Sequence, residues 1–566
     1  MSIDAVQRTL ETNSDVENAE PSVKQDCTDV IHISIFFDGT GNNKDKDEEK
    51  KKWSNPARLW TNANEYAMTA TKSMKISGIS SNYAIYVSGV GTKFNGELGI
   101  FEKIYAWARD NPITGGGLGT GGGRRLGYGE EQLNDALKQV MIMNAKKAEI
   151  DTGKYANEKK VYSFAEVDKS LAQHRLIKKI NISTFGFSRG AALARAFNNQ
   201  FMWQCESNCD GLTYGNGKYP IEFKFMGIFD TVASFGLPAT NLNNNLTFEG
   251  RDLVVDERVK MCVHHIAGNE LRFAFPVDLV HKENGEIANS NWKEFVYPGM
   301  HSDVGGGYTP GSQNVNDNFA RIPLKDMLTE AVSAGVRMYD YDQLKNDHSQ
   351  IFEQQFEIQT ETQRLYDAVK THMQATGQIQ DQIIASMKVY YSAYATLAKN
   401  NTPSVSQQAR SGWGNKIKDT LMFWTPRDMT TEMERLQSLR KGPGTYTVTS
   451  PVSDGYEYMI RMEDWILDSW EAPATEEVAQ FYLNYVHDSK YGFLSNSEPF
   501  SYFRQRTVYE SRRSGKGKEI DDQLKADKEI CTYANQDLSQ KELFDAFENA
   551  KFEEQVLSVP SSEMRI

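Results

Sequence analysis

Residues 180–197 read Ile-Asn-Ile-Ser-Thr-Phe-Gly-Phe-Ser-Arg-Gly-Ala-Ala-Leu-Ala-Arg-Ala-Phe, so a strand, a Gly-X-Ser-X-Gly turn and a helix start follow one another without a break. Ile180, Ile182 and Phe185 suit a pleated, buried surface, while Ala191–Ala196 is built mainly from strong helix formers. Gly186 and Gly190 leave room for a strained reversal that lifts Ser188 above the sheet. The N–H of Arg189 then points to where an oxyanion forms. The five-residue pattern alone recurs by chance in loops, and the strand before it and helix after it give it the meaning of a nucleophile elbow. The context predicts a serine hydrolase.

An elbow of this kind needs a sheet to stand on. Ile31–Phe37 is a nearly continuous apolar run of the type buried within a parallel sheet, and it ends in the turn-forming loop Asp38-Gly-Thr-Gly-Asn-Asn43. Tyr83–Val87, Phe223–Phe229 and Glu294–Tyr297 are further strands, separated by helical stretches such as Glu131–Lys147. The pattern predicts an α/β-hydrolase-like, mostly parallel sheet flanked by helices, with an additional mainly helical region. Residues 1–29 read as a disordered tail, 30–325 as the catalytic core, 326–450 as a helical insertion and 451–566 as a segment returning to the core. Within the insertion, Phe352, Phe356, Tyr366, Val369 and Met373 recur at mostly helical spacing, as do Ile383, Met387, Tyr391, Tyr394 and Ala398. They predict a long helical hairpin outside the sheet, acting as a lid or a membrane-docking element. Trp413, Ile417, Leu421 and Trp424 share one helical face, read first as packed on its own domain and second as facing a membrane. The glycine-rich stretch Gly115–Gly129 reads as a flexible loop, and it lacks the Gly-Lys-Ser/Thr of a phosphate-binding loop.

Composition narrows the function. A net charge of −13 over 566 residues argues against nucleic acid as a partner, because nothing overall offsets phosphate repulsion. No run of about 18 apolar residues predicts a transmembrane helix. The polar, acidic start lacks a secretory signal pattern, so the protein is expected to be made in the cytoplasm and not to leave by a cleaved-signal route. Five cysteines do not make a disulfide framework, and Cys205 and Cys209 read as free thiols. No Cys/His cluster has zinc spacing, and no metal or cofactor is expected.

A serine nucleophile needs a histidine base oriented by a carboxylate, in the chain order Ser, Asp or Glu, His. Of nine histidines, His301 stands out in Pro298-Gly-Met-His-Ser-Asp-Val-Gly-Gly-Gly-Tyr308, directly after a strand and before a glycine run. His487, in Tyr485-Val-His-Asp-Ser489, is its rival, while His264 and His265 fit either core or surface. Asp230 ends the strand Phe223–Phe229, where catalytic side chains gather, and it is the chosen acid; Asp303 lies too near His301 in sequence for an easy reach to its ring. Gly39 and Thr40 join Arg189 as oxyanion-hole candidates, with the Asp38 side chain turned away to hold the loop through backbone amides or Arg189.

Together, Phe-Phe-Asp38-Gly-Thr-Gly-Asn-Asn, Gly-Phe-Ser188-Arg-Gly-Ala, Phe-Asp230-Thr-Val-Ala-Ser and Pro-Gly-Met-His301-Ser-Asp-Val-Gly-Gly-Gly-Tyr resemble, in this order, the first lipase-effector family of the bacterial type VI secretion system. The Tyr-Val-His487-Asp-Ser segment looks like a late motif of the same family. The resemblance covers residues 30–310 and then about 480–510. It implies an antibacterial phospholipase A that cleaves membrane glycerophospholipids with Ser188, Asp230 and His301 as triad. It also implies secretion into a rival cell's periplasm, a VgrG-type spike protein as carrier and a cognate immunity protein. One departure is Asn269 in Ala267-Gly-Asn-Glu-Leu-Arg272, where related sequences often carry Asp. A soluble esterase or thioesterase, or a non-catalytic adaptor on a hydrolase scaffold, are the alternatives.

Overall fold

The computed structural model describes residues 29–73, 81–92, 122–156, 162–171, 174, 176–207, 211–233, 253–272, 274–282, 287–374, 376–410, 428–438, 440–442, 445–449, 457–461, 463–491 and 501–511. The tail before residue 29, Cys209 and the aromatic face of residues 413–424 lie outside them.

The chain forms an eight-stranded sheet from β1 (Asp29–Phe37), β2 (Asn82–Val87), β3 (Ile177–Phe187), β4 (Glu206–Ser207), β5 (Leu212–Tyr214), β6 (Tyr219–Phe229), β7 (Cys262–Ala267) and β9 (Lys293–Tyr297). Strands β2, β1, β3, β6, β7 and β9 lie side by side in that order, every neighbouring pair parallel. The short β5 and β4 add an antiparallel extension beside the start of β6. Burial on both faces explains the near-continuous apolar strands. On β1, Ile31, Ile33, Ile35 and Phe37 face one core and Phe36 the other. The first core is closed by α2 (Gly122–Lys147) and by α3 (Arg189–Met202), the helix that leaves the elbow. The second is closed by α1 (Asn55–Ser73) and α5 (Arg321–Ser333).

The glycine-rich stretch differs from its expected loop, since α2 begins at Gly122 and carries the last glycines inside it. The low helix propensity of these glycines is overridden by the burial of Leu126, Leu133, Leu137, Val140 and Met141 on the same helix. Arg125, buried on the same helix, donates to the carbonyls of Ser88, Gly89 and Thr92 and so fixes the loop after β2.

The helical region also differs from a hairpin outside the sheet. Helices α6 (Thr360–Lys370) and α7 (Ile379–Lys399) each pack on α9 (Glu476–Tyr485), and α7 also packs on α8 (Asp464–Glu471) and on β9. One apolar cluster joins Ile266, Tyr297 and Met300 with Ile383, Tyr391, Phe481, Tyr482 and Phe503. The helices are thus the cover of the β7–β9 edge, and the expected boundary at 325 falls inside α5. A three-stranded antiparallel sheet, β10 (Arg440–Gly442), β11 (Thr445–Thr449) and β12 (Glu457–Arg461), precedes α8. Farther on, β13 (Val508–Ser511) pairs in parallel with β8 (Val277–Lys282) and brings the late chain back beside the core. No helix among the described residues is long and apolar enough to cross a membrane.

Because this cover shares a core with the sheet edge, it should not melt separately. Ile383→Ala, at a fully buried position, is expected to cost about 2–5 kcal/mol while calorimetry still shows one transition. Two resolved transitions would contradict the shared core.

Candidate active site

Ser188 stands at the junction of β3 and α3 with φ 60° and ψ −127°, a backbone region that favours glycine. Its flanking glycines permit that strain. A Cβ at Gly186 would lie 2.4 Å from Gly190 O, and one at Gly190 would lie 2.3 Å from Phe37 O and 2.4 Å from Asp38 O. Ser188 N donates to Phe229 O at 3.0 Å, so the elbow is fastened to the end of β6, one residue before Asp230. Ser188 is 4% exposed.

Asp230 and His301 meet beside it. His301 Nδ1 donates to Asp230 Oδ2 at 2.5 Å, which leaves Nε2 as the basic nitrogen. The imidazole contacts two rings, with centroids 4.5 Å from Phe187 and 5.0 Å from Phe275. Phe187 directly precedes Ser188, so the elbow strand and the histidine loop touch. His301 opens the one-turn helix α4 (His301–Gly305), and a Cβ at Gly305 would overlap the Phe187 ring at 2.0 Å.

Asp230 is fully buried, and its carboxylate accepts four hydrogen bonds from three residues. Besides His301, Ala267 N donates to Oδ1 at 2.9 Å, and Arg506 sends Nη1 to Oδ1 and Nη2 to Oδ2, both at 2.7 Å. Burial opposes charge at this carboxyl. The Arg506 guanidinium and the His301 hydrogen bond overcome it and hold Asp230 well below the usual carboxylate range. Burial also lowers the His301 imidazole below its ordinary value, opposed by its bond to Asp230. Arg506 was missed in the sequence. An arginine 276 positions from its carboxylate carries no local signal, although the late motif near 480–510 pointed to that stretch of chain.

A second layer positions the histidine loop. Glu270 accepts from His301 N at 3.1 Å, from Ser489 Oγ at 2.9 Å and from the Arg272 guanidinium. Burial would raise the Glu270 carboxyl, but Arg272 beside it holds it down at about 2. Asn269, the departure from the family pattern, accepts from Gly299 N at 2.7 Å and donates its own N–H to Gly299 O at 3.0 Å, fixing the turn before His301. The side chain contributes only its accepting oxygen to this turn, which an aspartate would also offer, so the motif's scaffolding role survives the departure.

His487 occupies a different position from that of a rival base. Its Nδ1 pairs with Asp303 Oδ1 at 2.7 Å, its Nε2 meets Ser312 Oγ at 3.0 Å, and the Tyr308 ring stacks on it at 3.7 Å. Asp303 also accepts from Met300 N and His487 N, so this pair ties the end of α9 to the His301 loop. His264 and His265 are both core residues, and His264 Nδ1 pairs with Glu294 at 2.7 Å.

At the loop after β1, the Asp38 carboxylate accepts from Gly39 N at 2.7 Å and from the hydroxyls of Ser54 and Tyr86. Burial raises Asp38 to about 6 against these hydrogen bonds. The Gly39 N–H is therefore engaged, which corrects its expected place in an oxyanion hole. Thr40 N has no partner among the described residues, and Arg189 reaches this loop by donating its Nε to Thr40 Oγ1, not through Asp38. Among the described residues no group of three or more His, Cys, Asp or Glu is placed to hold a metal ion.

The elbow geometry generates a sharp test. Gly190→Ala should favour α3 by about 1 kcal/mol on propensity alone. The clash with the β1 carbonyls outweighs it, and a lower melting temperature with lost esterase activity is expected. An unchanged or raised melting temperature with full activity would show that the elbow is not this tight.

Residues 200–330 match the family model described as T6SS, Phospholipase effector Tle1-like, catalytic domain. No curated protein matches the chain significantly. Among solved structures, a crystal structure of an uncharacterized protein from Pseudomonas aeruginosa is similar with a TM-score of 0.60 and 21% identity, covering 90% of this chain and 82% of that one. A second, the Tle1 effector bound to the VgrG spike from the type VI secretion system, gives a TM-score of 0.34 and 19% identity over 63% of this chain and 84% of that one. The first likeness speaks for the fold, while the matched segment contains both Asp230 and His301 and agrees with the motifs that carry the resemblance. By that match, residues 200–330 are similar to the catalytic domain of the Tle1-like phospholipase effectors of the type VI secretion system.

Proposed function

We propose that Ser188, Asp230 and His301 form the triad of a phospholipase that hydrolyses acyl esters of membrane glycerophospholipids through an acyl-enzyme. The observation that carries this reading is the Asp230–His301 pair, bonded at 2.5 Å and packed against the strained turn that presents Ser188.

His301 Nε2 takes the Ser188 proton as the hydroxyl oxygen attacks the ester carbonyl. Asp230, ionised and bonded to Nδ1, keeps the imidazole in the tautomer that accepts at Nε2 and stabilises the imidazolium that forms. The N–H groups of Arg189, at the start of α3, and of Thr40, on the loop after β1, receive the oxyanion. Collapse of the tetrahedral intermediate releases the lysolipid, protonated by His301, and leaves a Ser188 ester. His301 then activates water, and hydrolysis of that ester frees the fatty acid. Every step uses groups of the chain itself.

The family resemblance supports the setting in which this activity is used: delivery by a VgrG-type spike, action in the periplasm of a rival bacterium and restraint by an immunity protein in the producer.

The test is fatty acid release from phospholipid vesicles. The parent protein should release it, and Ser188→Ala and His301→Ala should lose several orders of magnitude in kcat. Near-normal release by either variant sinks the triad. Cleavage of short soluble esters alone, with vesicles untouched, would move the reading to a soluble esterase.

Only neutral His301 acts as base, and its folded value is lowered. The acidic limb of kcat/KM should therefore fall below the ordinary imidazole value of 6.5. A limb above that value would contradict the arrangement of the pair.

A further inference from the structure

The surroundings of His301 are balanced in charge. Asp230 and Glu270 are the two carboxylates whose charges favour its protonated form, and the Arg272 guanidinium opposes them. The second guanidinium, Arg506, faces Asp230 and Glu270, and it also faces Asp278 on β8. Asp303, two residues beyond His301, is paired with His487 from the segment after α9. Removing Arg506 leaves an uncompensated negative charge beside the imidazole.

Arg506 is itself 3% exposed and makes four hydrogen bonds in this one place. Nη1 serves both Asp230 Oδ1 and Ala267 O at 2.7 Å, Nη2 serves Asp230 Oδ2, and Nε donates to Phe275 O at 3.1 Å. It thereby fixes the carboxylate that orients His301 and the backbone of the residue whose ring lies 5.0 Å from the imidazole. It comes from the strand-leading segment just before β13, far from every elbow motif in sequence. The planar fork suits this task, because a lysine ammonium supplies charge without two parallel bonds.

We propose that Arg506 is a positioning residue of the active site, a buried guanidinium clamp that sets the orientation of Asp230 and keeps His301 in its neutral, proton-accepting form. This rests on the reading of Ser188, Asp230 and His301 as the triad. The clamp also makes the late chain part of the catalytic apparatus. The strands of the eight-stranded sheet and the elbow all lie within residues 29–297, but Asp230 gains its guanidinium partner only when residues 501–511 dock against β8.

The experiment compares the parent, Arg506→Met and Arg506→Lys in the full-length protein, after thermal melts have established which variants are folded. The first readout is the pH profile of kcat/KM on a short-chain soluble ester. The second is the titration of His301 by NMR of histidine-labelled protein, which does not depend on activity and so separates failure of the clamp from failure of the triad. Arg506→Met should move the acidic limb and the His301 titration up together by about one pH unit. It should also lower kcat about tenfold or more through loss of orientation. Arg506→Lys, which retains the charge but not the fork, should lower kcat with the limb nearly in place. Loss of activity at every pH with an unshifted His301 titration would overturn the proposal and leave Arg506 a structural residue. An unfolded Met variant leaves the Lys variant to decide, since parent-like kcat there shows that the fork does nothing for orientation.

Discussion

The buried negative charge of Asp230 is the constraint on which the other parts of this structure depend. A carboxylate with no exposure is tolerated only when its lone pairs are filled and its charge is matched. Here the match is assembled from β7 through Ala267 N, from the histidine loop through His301 and from the late chain through Arg506. Each of these elements therefore has to arrive before the charge is stable. The helices packed on the β7–β9 edge are part of the same requirement, because they bury the sheet edge from which the histidine loop springs.

The glycines and the charges divide the work between them. Gly186, Gly190 and Gly305 remove side chains where backbones and the Phe187 ring approach most closely, so that the elbow and α4 can come together. Glu270, Asn269 and the Asp303–His487 pair then hold the loop in place from outside. The result is an imidazole packed against two aromatic rings and fixed at one nitrogen, a geometry suited to proton transfer with little reorganisation.

Much of this was legible in the sequence, for identifiable reasons. The elbow announces itself because strand, turn and helix are contiguous, and the apolar strands β1, β3 and β6 show as runs because both of their faces are covered. Asp230 and His301 were found by their position at strand ends. The strand β7 was not read as one, since His264 and His265 interrupt its apolar run, yet both rings are buried, and His264 is satisfied by Glu294. The helix α2 was hidden by the glycines in its first turns, whose low helix propensity is outweighed by burial of its apolar face. The partners of Asp303, Glu270 and Asp230 are separated from them by 184, 219 and 276 positions, and no local pattern encodes such pairings. Gly39 was misjudged because the sequence does not say which N–H its own neighbour, Asp38, will take.

The central claim is that the Asp230–His301 pair serves Ser188 and no other hydroxyl. A lipid-like alkyl phosphonate that forms a covalent adduct with activated serines, followed by peptide mapping by mass spectrometry, tests it directly. The account predicts one adduct, on the peptide bearing Ser188, abolished in His301→Ala and retained in His487→Ala. An adduct on Ser312, which touches His487, would contradict it, as would labelling of Ser188 that survives the loss of His301.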